Sequence, residues 1–423
     1  MRKAALGLTV IAGSLVFGLT GAFGGSAAAP GVTAKVVTIG GTFPLSGPAA
    51  SYAPIARGLS AYFSYENSTK RGADKARGCG GRQVKFIVYD DLFNPPQTVT
   101  QTIRLVEQDK VFATLGGLGT EPQQQVRRYL NLNKVPQLYV STGATFWGAE
   151  QKNYKWSLGW QPDYQGEATI YGRRIRAQTP NAKIAILYQN DDYGKDYIAG
   201  LEAGLGKNKS QIVATRGYNL TDASVAPQLL ALRASGADTL MIFATPTHTI
   251  RTYATLRTIQ WKPAHVYLNS VSATDTFMTT AVGLATPGYV NGSVSVQYLK
   301  DPASPDNAND AGVNLYKQIL GKYLPSARAT DGLYLYGFAK GRSFCNLLDS
   351  IPKAKLSRPA LMAKALNFRE TNAMNPWFLP GVMSTTSKND RFPISAERLI
   401  EFENGGWKPI GPLVDPRPSK QTK

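Results

Sequence analysis

The sequence predicts an α/β protein of two units, each a doubly wound, mostly parallel sheet with helices on both faces. Three observations predict it. Strand-like apolar runs alternate with segments of helical spacing, the pattern of βαβ units. The alternation runs through two series in tandem, with no low-complexity linker between them. The chain, at 423 residues, is also too long for a single hydrophobic core.

The elements follow in order. Val36, Val37, Thr38 and Ile39 form a β-branched strand, and a helix starts near Pro54 after a loop of small residues. Residues 83–90 alternate as a strand. Across 98–108, Val99, Thr102, Ile103, Leu105 and Val106 recur at helical spacing. A short apolar strand at 111–115, a polar helix at 121–133 and a strand at 137–140 complete the first series. The second series opens after Trp160, Gln161, Pro162 and Asp163. It reads helix 166–177, strand 183–188, helix 195–205, strand 212–214, helix 225–234 stopped by Gly236, and strand 239–243. Helix 250–259 and strand 265–268 extend it. Residues 290–298 alternate as a strand, and 301–309 form a Pro/Asn/Asp loop. Residues 311–323, 332–349 and 359–366 read as helices, and 398–402 with 406–409 as a terminal hairpin.

The N-terminus carries the marks of an export signal. Arg2 and Lys3 precede an uncharged apolar stretch, 4–20, and Ser26, Ala27, Ala28 and Ala29 offer small-residue cleavage sites. Residues 1–28 are expected to be removed. The alternative, an uncleaved anchor, needs an apolar span of ~20 residues, and this stretch is short and Gly-rich. No cysteine follows it directly, so no lipid attaches there. The mature protein is expected to be periplasmic or secreted.

The formal charge is +19, and loss of Arg2 and Lys3 lowers it by two, to +17. The basic residues are scattered. The densest group, Lys70, Arg71, Lys75, Arg77 and Arg82, contains four glycines and no aromatic platform, so a solvated basic surface is read rather than a nucleic-acid site. Two cysteines in an exported chain, Cys79 and Cys345, suggest a disulfide, both being assigned to the first unit; two separate buried thiols are the alternative. There is no CxxC pair, GxSxG elbow or Walker loop. His248 and His265 are the only histidines, too few for a triad or metal site, and each reads as a capping or surface residue.

The loop Pro44, Leu45, Ser46, Gly47, Pro48, Ala49, Ala50, Ser51, Tyr52 lies between a strand and a helix start, where free N–H groups and hydroxyls face a ligand. Further segments come in a consistent order: Tyr89-Asp90-Asp91 with Pro95-Pro96-Gln97, Asp192-Tyr193-Gly194, Gly236-Ala237-Asp238, and Asp390 through Ile394 before Gly405-Gly406-Trp407. Together they resemble the Leu/Ile/Val-binding family of ABC-transporter solute-binding proteins, with a type I periplasmic-binding-protein fold, over nearly the whole mature chain. The resemblance implies two discontinuous lobes joined by three crossings, near 157–162, 289–293 and 376–382. Lobe 1 is then 36–158 plus 293–376, lobe 2 is 162–289 plus 382–415, and 416–423 is a tail.

Ligands of doubly wound sheets bind at strand carboxyl ends. Four loops qualify. Ser46 to Tyr52 is the first; without the resemblance it reads as a helix entry with a Ser cap and an inward Tyr52, and the resemblance places Tyr52 in the cleft. The second holds Leu118, Gly119 and Thr120, with Thr120 a cap before Pro122. The third, Ser141 to Thr145, matches the family loop for the ligand carboxylate, so Gly143 and Ala144 offer backbone and Thr145 its hydroxyl. The fourth, 190–194, carries Tyr193, which matches an aromatic that closes over the ligand; adjacent Asp191 and Asp192 alone make a poor metal site. Thr245 and Ser270 end further strands.

The chain departs from amino-acid binders at residues 269–272. The family's acid for the ligand ammonium is absent there, Ser270 standing in its place, and the loop 244–247 lacks the family's aromatic. A charge-assisted bond is worth ~1.5–3 kcal/mol, so an acid or amide without an ammonium is expected to bind best. Asp163 or Asp331 could substitute for the missing acid, and Tyr52, Tyr193 and Trp147 could stack on an apolar body. The expected protein is a monomeric, non-enzymatic binder without cofactor or metal. It would capture a branched-chain amino acid, related acid or amide and pass it to an ABC permease. Rival readings are the ligand-binding subunit of a sensory receptor and a secreted hydrolase using Ser46 or Ser141.

Overall fold

The computed structural model describes residues 29–71 and 76–417. The expected signal region 1–28, Lys75 of the basic group and the last six residues of the expected tail lie outside them. Two sheets organise the chain. The first contains β1 (Val36–Phe43), β2 (Gln83–Asp90), β3 (Ala113–Leu115), β4 (Gln137–Leu138) and β5 (Ser157–Leu158), all parallel, in the order β2-β1-β3-β4-β5. The second contains β6 (Ile184–Gln189), β7 (Ile212–Tyr218), β8 (Thr239–Phe243), β9 (His265–Leu268) and β10 (Ser293–Gln297), with the antiparallel pair β11 (Glu397–Glu403) and β12 (Gly406–Val414). Its order is β12-β11-β10-β9-β8-β6-β7. The terminal pair is the hairpin expected from the sequence.

The central strands are buried on both faces, so they read as continuous apolar runs rather than alternating ones: Thr239–Phe243 is buried throughout. Helices start where the sequence supplies acceptors for the free first-turn amides. Asn94 accepts from Gln97 N, Asp163 from Gly166 N, Asp191 from Gly194 N and Asp310 from Val313 N. Among the described residues, no helix is long and apolar enough to cross a membrane.

This is a two-lobe type I periplasmic-binding-protein fold with three crossings, two of them displaced from their expected positions. Ser293–Gln297, assigned to the first lobe from sequence, pairs with β9 and β11 in the second sheet. The crossing therefore follows Gln297, where Leu379 N donates to Tyr298 O and Lys300 N to Trp377 O. Residues 382–394, assigned to the second lobe, stay with the first. Met383–Thr385 pairs with Arg369–Thr371, Arg391 reaches Leu366 O, and Val382 and Ile394 are buried in the first core. The start of the expected tail is also tied down: Arg417 grips the Asp163 carboxylate and lies 3.8 Å over the Phe392 ring.

Cys79 and Cys345 form a disulfide with Cα atoms 4.8 Å apart. Both are buried in the first core, and the bond ties the approach to β2 to helix Gly332–Asp349. Closing so long a loop stabilises by up to ~5 kcal/mol in a chain-entropy account.

Candidate functional site

In both sheets the strand order reverses beside the first strand of the series, β1 in one and β6 in the other, and the loops at those carboxyl ends face one cleft. The cleft holds a cavity of about 160 Å³. β1 and β3 send Tyr52, Leu118, Gly119 and Thr120 to its wall. β6, β8 and β9 send Gln189, Asp191, Tyr193, Thr245 and Ser270, and the crossings add Gln161, Tyr298 and Leu299. Seven of the residues singled out from sequence thus meet here: Tyr52, Leu118, Gly119, Thr120, Tyr193, Thr245 and Ser270.

Ser46, Gly143, Ala144 and Thr145 do not line the cavity. Ser46 Oγ donates to Asp90 Oδ2 at 2.6 Å, and the Leu45 and Ser46 amides reach Asp90 Oδ1, so this loop is folded around an internal carboxylate. Gly143 is covered by the second lobe's first helix: a Cβ there would lie 2.4 Å from Pro162 O and 2.7 Å from the Tyr164 ring. Ala144 and Trp147 are buried in the second core. The Thr145 amide donates to Asp196 Oδ2 at 2.7 Å, so the protein's own carboxylate occupies the position expected for a ligand's.

Most of the polar groups that remain have partners; on the wall the Thr274 hydroxyl and the Trp407 indole N–H have none among the described residues. Leu118 N and Gly119 N donate to Thr42 O and Ser141 O, and the Thr120 and Thr142 hydroxyls pair at 2.6 Å. Tyr52 OH crosses the cleft to Val271 O at 3.3 Å, and its ring meets the Phe277 edge. Thr245 Oγ1 donates to Gln189 Oε1. The hydroxyl of Tyr193 is buried with no hydrogen-bond partner among the described residues, while its ring packs edge-on to Tyr164 and Tyr197. Burial pushes the Tyr52 and Tyr193 hydroxyls well above the ordinary phenol range, so both stay protonated.

Ser270, where the resemblance leads one to expect an acid, is held by an acid from another element. Glu167, on helix Tyr164–Gln178, accepts from Ser270 N and Ser270 Oγ, both at 2.7 Å, and from Tyr171 OH and Tyr197 OH. Burial raises the pKa of its carboxyl and so favours the neutral form, and the Ser270 and tyrosine hydrogen bonds oppose that. A signal existed in the sequence: Glu167 shares the apolar face of its helix with Tyr171 at i+4 and Ile170 at i+3. Asp163 and Asp331 are helix caps off the wall, bound by Gly166 N with Arg417 and by Leu333 N. The wall acids are instead Asp191, from the fourth candidate loop, and Asp275 and Asp301, which were not anticipated. Asp191 accepts from Gln189 and Gly194, Asp275 pairs with Arg328 across the cleft, and burial pushes Asp301 up to about 6.

Neither expected nucleophile is set up as one. Ser46 is bound to Asp90, and Ser141 Oγ donates to Gly116 O at 2.6 Å. His248 is buried, against expectation: it stacks on Tyr218, and its Nε2 lies 2.9 Å from Asp222 O. Among the described residues no His, Cys, Asp and Glu cluster could hold a metal ion.

A two-sheet cleft of this kind defines a solute-binding class, and comparison with known proteins agrees. The family model described as periplasmic binding protein matches residues 36–406, and the chain belongs to that family. A protein of Pseudomonas aeruginosa described as an amino acid binding protein is 24% identical over 73% of this chain and 76% of its own length. A crystal structure described as a possible leucine/isoleucine/valine-binding protein from Rhodopirellula baltica superposes with a TM-score of 0.73 at 20% identity, covering 89% of this chain and 97% of its own. A branched-chain amino acid ABC transporter structure from Thermus thermophilus, with bound valine, gives 0.75 at 14% identity, over 90% and 97%.

Proposed function

We propose that this protein captures a small carboxylate-bearing solute with an apolar body in the interlobe cleft and delivers it to an ABC importer. The observation that carries the reading is the Tyr193 hydroxyl: buried, unpartnered among the described residues, and on the wall of a cavity that both lobes line. A buried polar atom without a partner is costly, and a ligand supplies the missing bond. The wall is otherwise rich in apolar and aromatic side chains, among them Ile55, Phe93, Leu118, Tyr164, Tyr298 and Leu333, which suits an apolar body. Contacts such as Tyr52 to Val271 and Thr145 to Asp196 span the lobes, and a solute touching both walls would favour the closed arrangement. The relatives described as amino-acid or branched-chain binders support the solute class. Uptake by an importer rests on the same likeness.

Calorimetry of the mature protein against leucine, valine and phenylalanine, their des-amino acids and the corresponding amides tests the reading. At least one series should bind at micromolar levels and contract the protein in small-angle scattering. Tyr193→Phe should weaken that solute by roughly 2–10-fold and leave the melting temperature close to unchanged. Leucine binding better than its des-amino acid would assign an ammonium to the wall, with Asp301 the first acid to replace. No binding by any series would remove the proposal.

A further inference from the structure

Helix Gly332–Asp349 carries a lysine that no feature of the fold requires. Lys340 is fully buried in the first lobe. Its Nζ donates to Ser141 Oγ at 2.6 Å and to Tyr336 OH at 2.7 Å, and lies 5.3 Å over the Trp160 ring. Ser141 and Tyr336 both stand on the cavity wall; Lys340 lies directly behind them. The hydroxyl protons are already placed, that of Ser141 on Gly116 O and that of Tyr336 on Gln161 Oε1, each at 2.6 Å. Both oxygens therefore only accept from the amine. A charged ammonium has a third N–H. Among the described residues nothing accepts it, and no carboxylate lies within ion-pair distance. The groups facing Nζ are Ser141 from the loop after β4, Tyr336 from its own helix and Trp160 from the first crossing. The hydrogen-bonded path onward, from Trp160 Nε1 to Ser343 Oγ to Glu370, reaches a carboxylate only two bonds beyond the indole.

We propose that Lys340 is the counter-charge for the anionic head group of the solute, acting from behind Ser141 and Tyr336, so that the cleft selects carboxylates over neutral analogues of the same shape. This rests on the reading of the cleft as a solute site and adds its charge preference. A buried ammonium without an anion is strongly disfavoured, and burial holds this amine well below the usual lysine range. An anion seated against the two hydroxyls restores the balance once their protons turn to it from Gly116 O and Gln161 Oε1. Its charge raises the proton affinity of the amine, so binding of the acid draws a proton from solvent. An amide of the same body does neither. The Ser141–Lys340 separation matches that of a serine–lysine nucleophile pair, but the directions do not: the serine proton goes to Gly116 O and the amine is the donor.

The test uses the mature wild-type protein with isocaproate and hydrocinnamate against isocaproamide and hydrocinnamamide. The acids should bind at least tenfold more tightly than the amides. Titration in two buffers of different ionisation enthalpy should show net proton uptake with the acids and none with the amides. Lys340→Met should remove the acid preference by weakening the acids at least tenfold and leaving the amides unchanged. Glu370→Gln should retain the preference. Amides binding as well as acids, or an acid preference that survives Lys340→Met, would overturn the proposal and leave the solute-binding reading standing. Binding by leucine alone would also overturn it. If no acid, amide or amino acid binds, both fall together. The wild-type comparison decides the matter even if Lys340→Met fails to fold.

Discussion

The two walls of the cleft bury charge in opposite ways. The second-lobe wall buries an acid, Glu167, and gives it four donors: Ser270 N, Ser270 Oγ, Tyr171 OH and Tyr197 OH. The first-lobe wall is backed by a base, Lys340, with two hydroxyl acceptors and no acid in reach among the described residues. A buried group whose bonds are complete is architecture; one left incomplete beside a cavity is a place for a ligand. Glu167 already occupies the Ser270 amide and hydroxyl, so that loop braces the second lobe rather than waiting for an ammonium.

Removing Glu167 should have the largest effect. Glu167→Ala strands three donors in a buried site, Tyr171 OH keeping Leu268 O, and the ligand-free protein should lose roughly 3–5 kcal/mol in urea unfolding. An unchanged midpoint would break the contrast between the walls.

Glu370 gives the next effect and a pH signature. It is buried with Ser343, Asn346 and Asn375 as donors, and burial pushes its carboxyl up to about 7. Its folded value lies above its unfolded one. Its contribution is therefore complete below the ordinary glutamate range and is lost as pH rises through about 7, on the order of 3 kcal/mol. Glu370→Gln should flatten the stability profile between those limits. A profile equally steep in the variant would show that other acids set it.

The smallest effect carries the opposite sign. Lys340→Met removes an uncompensated buried amine, so the ligand-free protein should gain about 1–2 kcal/mol at neutral pH. With a depressed folded value, the cost of the lysine grows as pH falls from the ordinary lysine range towards the folded value, so the gain should shrink as pH rises and vanish above the ordinary lysine range. A loss of stability at neutral pH would show that the amine already has its balance within the fold.

The fold was legible because its signals are local. β-branched runs, proline helix starts and Asp or Asn caps set the elements, and an exported chain with two cysteines suggested the Cys79–Cys345 pair. Partner choice was not local. Nothing in the alternation of 290–298 says which sheet accepts it, and β9 and β11 decide that. Strand-end reasoning found Tyr52, the Leu118–Thr120 loop, Tyr193, Thr245 and Ser270 because such loops converge in any doubly wound sheet. It overreached at Gly143 and Thr145, where Tyr164 and Asp196 arrive from far along the chain. Glu167 and Lys340 were missed because one charged residue in a helix resembles a solvated one until its neighbours are counted. Lys340 follows Tyr336 by four and precedes Phe344 by four, on one face of a helix that is buried along most of its length.

The most direct test of a cleft built to hold a solute is native mass spectrometry of the protein purified from its own host, followed by unfolding and analysis of what is released. The account predicts one small organic acid per chain, with an apolar body, lost on unfolding and retained less in Lys340→Met. A neutral or cationic compound as the released solute, or a protein that carries nothing and binds nothing when organic acids are added back, would contradict it.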